Sequence, residues 1–168
     1  MLASRRLRRG VAGAARTEHL PGRLDRHGDI CPGRDAPRDG PIWREDCIEF
    51  FLDPAGRQTI YYELDFSSQA NIYDALAFLD PNRFTSDKNW SSPTLIVRTS
   101  PDNGGWTLEG RIALEDLLTA YHIPPQHGDA WRVNVYRCDF IPDRKPMFAA
   151  WSPVANFHEP GGFGTLVF

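Results

Sequence analysis

The chain has 168 residues, 41% of them hydrophobic and 12% aromatic, which is enough for one ordinary core and short for two. Its formal charge of −3 is unevenly spread: residues 1–40 hold nine Arg and five acids, and the rest carries ten basic and seventeen acidic side chains. An acidic folded part argues against nucleic acid as a partner, since that footprint needs clustered Lys and Arg, and no apolar run approaches the roughly 20 residues of a membrane span.

In chain order, residues 1–39 show scattered apolar side chains, repeated Arg, Gly and Pro, and no strand or helix period. They are expected to lie outside the fold, as a solvated tail or as sequence ahead of the true start, in preference to an organelle transit peptide. Met1 to Leu20 lacks the continuous apolar core of a secretory signal.

From Pro41 the texture changes. Cys47 to Leu52 reads as a strand closed by the turn residues Asp53-Pro54-Ala55-Gly56. In the next strand, Ile60 to Phe66, strict alternation puts Ile60, Tyr62, Leu64 and Phe66 on a core face and Tyr61, Glu63 and Asp65 on a polar one. Residues 71–78 have no decisive period and stay open between strand and connection. Leu95 to Arg98 and Trp106 to Ile112 flank Pro101-Asp102-Asn103-Gly104-Gly105, the clearest hairpin. Leucines at 114, 117 and 118 predict one or two amphipathic helical turns ended by Pro124-Pro125. Trp131 to Cys138 alternates again, with Trp131, Val133 and Val135 inward and Arg132, Asn134 and Tyr136 opposite; the last strand is Thr165 to Phe168. Many short strands between Gly and Pro residues, 14 of each, predict an all-β antiparallel sandwich over residues 40–168.

Glu49, Glu63, Asp65, Arg132, Asn134 and Tyr136 form a polar patch if their strands share one sheet. Carboxylates, an amide and a guanidinium can pair with vicinal hydroxyls while aromatic rings stack on the C–H face of a pyranose. Alternating polar residues are equally the solvent face of an ordinary antiparallel sheet. Trp90, Trp106, Trp131 and Trp151 are read as core, whereas Trp43 and Phe157 stand beside turn residues where a ring is exposed. Two of Glu49, Glu63 and Asp65 would be needed for a small glycoside hydrolase. No GxSxG nucleophile occurs. Three cysteines, Cys31, Cys47 and Cys138, are too few and irregular for a disulfide framework or a zinc spacing, and Cys47 and Cys138 are expected as buried, inert thiols. His158 beside Glu159 is a weak metal-ligating pair.

The segments WREDCIEFFLDP (43–54), YYELDF (61–66), WRVNVYRCD (131–139), AWSP (150–153) and NFHEPGGFGTLVF (156–168) together resemble the family 9 carbohydrate-binding modules. The resemblance implies a jelly-roll-like sandwich of the DOMON/family 9 type that grips a sugar between two aromatic rings and has no catalytic centre of its own. It places the rings on Trp43 and Phe157, an acidic contact on Glu49, and further polar contacts near Glu63, Asp65 and Asn134. It further implies an oligo- or polysaccharide partner, an associated glycoside hydrolase, an extracellular or periplasmic setting, and structural calcium in some members. The second ring is usually Trp, and Phe157 offers a smaller stacking face. Family members also carry several strands ahead of the WRED-like motif, so the sandwich is expected to lack its N-terminal strands. A structural sandwich without ligand is the remaining alternative.

Overall fold

The computed structural model describes residues 12–15, 37–80, 83–102, 105–141 and 143–168. Among the described residues ten strands are formed: β1 (Ala12–Ala15), β2 (Cys47–Asp53), β3 (Ile60–Ser67), β4 (Ile72–Asp80), β5 (Arg83–Asp87), β6 (Ile96–Asp102), β7 (Gly105–Arg111), β8 (Ala130–Asp139), β9 (Met147–Ala150) and β10 (Gly164–Val167). A large antiparallel sheet runs β10-β8-β2-β3-β4-β5, with β9 sharing the outer edge of β8. A small sheet, β1-β7-β6, packs on one face of it.

The alternation of the sequence sets this arrangement. Ile48, Leu64 and Phe66 point from the large sheet toward Leu95 and Leu108 of the small-sheet layer, with Phe50, Val97, Trp106, Ile112 and Val135 packed around them. Tyr62, Leu117 and Trp131 extend that inter-sheet core toward the β8 and β10 end. The turn after β2 closes through Gly56 N–H donating to the Asp53 carbonyl, at a positive φ of 64° that Gly adopts at little cost.

Several expectations change. The predicted polar face of β3 is not a solvent face: Tyr61, Glu63 and Asp65 are all buried, because loops from both ends of the chain fold over that side of the large sheet. The helical turns expected at 114–121 shrink to a 3-10 turn over Leu114–Asp116, which buries Leu117 but leaves Leu118 exposed. The open segment is the long strand β4. Trp151 is not core; it is exposed and lies across Gly164, where an added Cβ would collide with its ring.

The N-terminal tract, which carries no strand period, nevertheless supplies β1, paired antiparallel along Arg111 to Leu108 of β7. Arg38 also belongs to the fold, making a two-pronged ion pair with the fully buried Asp74 of β4 at 2.8 Å for each prong. The other residues before Pro37 lie outside the described residues.

Candidate functional site

The covered face of the large sheet collects most of the residues singled out in the sequence, and strand register puts them in rows. Glu49 on β2 pairs with Tyr136 on β8 to one side and with Asp65 on β3 to the other, and Asp65 pairs in turn with Tyr73 on β4. One row therefore reads Tyr136, Glu49, Asp65, Tyr73. The next row reads Asn134, Phe51, Glu63, Ala75. The end tyrosines of the first row are three inter-strand steps apart, about 14 Å.

Each end of that row carries an aromatic ring from a loop. Trp43, in the 3-10 turn Ile42–Arg44, meets Tyr73 edge-on with centroids 5.2 Å apart, and it keeps 38% of its surface exposed. Phe157, in the connection from β9 to β10, lies flat on Tyr136 at 4.0 Å and 16°. Ile42 anchors the first loop by burying itself against Cys47, Tyr73, Ala75 and Cys138. Asn134 anchors the second: its amide nitrogen donates to Tyr136 Oη and to the Ser152 carbonyl, and its oxygen accepts from the Val135 and Ser152 N–H groups. All four hydrogen-bonding positions of that amide are thus engaged within the protein.

The carboxylates between the rings are short of partners. Asp65 is fully buried and, among the described residues, neither of its oxygens has a hydrogen-bond partner; Glu63 is 6% exposed and its Oε2 is equally unpartnered there. Glu49 accepts through Oε1 from both neighbouring thiols, Cys138 at 3.2 Å and Cys47 at 3.6 Å. Burial raises the pKa of all three, and their mutual repulsion adds to it at Glu63 and Asp65. Glu63 is pushed up to about 8, mainly by burial and then by the charge of Glu49, with Lys88 opposing. Asp65 is pushed well above the usual carboxylate range by burial first.

Two residues here escaped the sequence reading. Lys88 places its ammonium 4.9 Å from the Tyr73 ring centroid and 5.5 Å from that of Trp43, and donates to the Asp39 carbonyl at 3.2 Å. Tyr73 forms the wall under Trp43, in a strand whose period was undecided. Only the fold brings Lys88 to this end of the row, so no local pattern marks it.

Other expected groups do not converge. Arg132 lies at the β10 edge, donating to the Gly161 carbonyl at 2.9 Å and to Thr165 Oγ1 at 3.3 Å. His158 sits among the rings of Phe51 and Phe84, its Nδ1 2.6 Å from Tyr61 Oη. Burial lowers its pKa to about 4. Glu159 accepts the Ala155 N–H. Among the described residues the one group of three ligating side chains within reach of each other is Cys47, Glu49 and Cys138. That set does not fit calcium, which takes six to eight oxygen ligands.

The sequence model of carbohydrate-binding family 9 matches residues 31–168. Among solved structures, a candidate carbohydrate-binding protein from Bacteroides uniformis is similar at a TM-score of 0.58 and 21% identity, over 79% of this chain and 65% of that one. A family 9 carbohydrate-binding module from Caldicellulosiruptor kristjanssonii, in complex with glucose, is similar at a TM-score of 0.52 and 15% identity, over 76% of this chain and 61% of that one. At these identities the likeness is one of fold, and the chain spans less than two thirds of either structure's length. No curated protein sequence matches the chain.

Proposed function

The chain belongs to carbohydrate-binding family 9, and on that premise we propose that it is a non-catalytic module that binds a saccharide over the Tyr136–Glu49–Asp65–Tyr73 row. The observation that carries the reading is a line of under-satisfied carboxylates with an aromatic ring at each end. A pyranose supplies what both parts lack: C–H faces for the rings and O–H donors for buried acceptors that would otherwise remain unpaired.

In this reading Trp43 and Phe157 hold the ring faces, and Glu63 and Asp65 accept the hydroxyls. Glu49 contributes from beside the thiols, and Lys88 is a donor at the Trp43 end. Asn134 acts through the loop it ties down, since its amide is already saturated. The carboxylates are covered in the free protein, so binding includes a displacement of the rim rings, of which Trp43 is the more exposed. The similar module from Caldicellulosiruptor was solved in complex with glucose, which makes a glucose-containing oligosaccharide the first ligand to try. Holding a partner glycoside hydrolase on its polysaccharide is the role such a module would serve.

Calorimetric titration of the folded chain with cello-, xylo- and malto-oligosaccharides tests the proposal. Binding of at least one series, abolished in Trp43→Ala with the circular dichroism spectrum intact, is the expected result. A folded wild-type chain that binds none of them overturns it.

A further inference from the structure

The thiol pair beside Glu49 is not needed for gripping a sugar. Register sets Cys47 directly opposite Cys138 across β2 and β8, on the same face as Glu49. Both cysteines are free and buried, and both sulfurs approach the same Glu49 oxygen. The ligating atoms of all three residues lie within 4.8 Å of one another.

Those separations are the ones a small dication requires. With Zn–S of about 2.3 Å and Zn–O of about 2.0 Å in a tetrahedral site, a sulfur–oxygen edge measures about 3.5 Å. The two sulfur–oxygen edges here are 3.2 and 3.6 Å, so on those edges shifts of a few tenths of an ångström are enough.

Two sulfurs with one carboxylate oxygen are a borderline-soft donor set of the zinc type.

We propose that Cys47, Cys138 and Glu49 form a buried site for a zinc-class divalent cation, which ties β2 to β8 next to the carboxylate row. On uptake the ion replaces the two S–H protons, which leave to solvent; no electron changes hands. Because all three ligands are closed off from water, the ion enters as the chain folds.

The test uses the full chain, purified under a thiol reductant and refolded with Co²⁺ or Zn²⁺, and analysed by native mass spectrometry and absorption. The expected result is one ion per chain, with thiolate-to-cobalt charge transfer. Both signatures are lost in Cys47→Ala and in Cys138→Ala and kept in Cys31→Ser, which removes the third thiol of the chain. The wild-type readings stand whether or not an alanine variant folds. Wild-type protein that refolds without an ion, loss of the signature in Cys31→Ser, or a Cys47–Cys138 disulfide formed in place of metal uptake overturns the proposal.

Discussion

Replacing Glu63 with Gln should stabilise this protein in base and leave it unchanged in acid. The Glu63 carboxyl, ordinarily near 4.5, is pushed up to about 8 in the folded chain by burial and by the neighbouring Glu49. Between those two values the folded state holds a proton that the unfolded state has released, so its contribution to stability is complete below pH 4.5 and is lost as pH rises to about 8. The whole interval corresponds to up to about 5 kcal/mol. Gln keeps the shape of the protonated acid and carries no charge. Urea denaturation followed by tryptophan fluorescence should therefore find Glu63→Gln within about 1 kcal/mol of wild type at pH 4.5 and several kcal/mol more stable just above pH 8. A gap between the two proteins that is the same at every pH, or that widens toward acid, would refute the argument that Glu63 is buried as a neutral acid.

Three further outcomes follow from the packing. Phe51 is fully buried among Tyr61, Tyr136, His158 and Phe163, so Phe51→Ala should cost about 3–5 kcal/mol in a denaturation midpoint series. Arg38→Ala leaves the buried Asp74 with only its bonds from Ser91 and Ser92 and should cost about 1.5–3 kcal/mol; a loss too small to measure would show that the tract before Pro41 is not part of the fold. His158 runs opposite to Glu63: burial holds its pKa at about 4 against an ordinary 6.5, so the stability it contributes is present above pH 6.5 and lost as pH falls toward 4. His158→Gln should flatten that acid limb by about 3 kcal/mol.

Much of the fold could be read from local pattern. The alternation in 60–66 and 131–138 assigned the inter-sheet faces correctly, since Leu64, Phe66 and Trp131 are buried there, and the Pro101 to Gly105 turn marked the β6–β7 hairpin. What could not be read is that the opposite face would also be covered. That depends on Ile42, Phe157 and Phe163 arriving from loops far away in sequence, so Glu63 and Asp65 looked like solvent-facing residues and are buried acids instead. Trp43, Glu49, Glu63, Asp65, Asn134 and Phe157 do gather on one face, but the amide of Asn134 turned inward to hold Ser152, which alternation alone does not reveal. Lys88 and the Cys47–Cys138 pairing were invisible for the same reason: the register of β5 on β4 carries Lys88 toward Tyr73 and that of β2 on β8 sets the two cysteines opposite each other, and spacing along the chain does neither.

In the proposed grip, Trp43 and Phe157 act on one sugar lying over one carboxylate row. A double-mutant cycle on oligosaccharide affinity, comparing wild type, Trp43→Ala, Phe157→Ala and the double variant, tests it most directly. Two rings gripping the same pyranose should each lose about tenfold or more, and the double variant should lose less than the product of the single effects. Single losses that multiply independently, or a Phe157→Ala protein that binds as well as wild type, would contradict the shared grip.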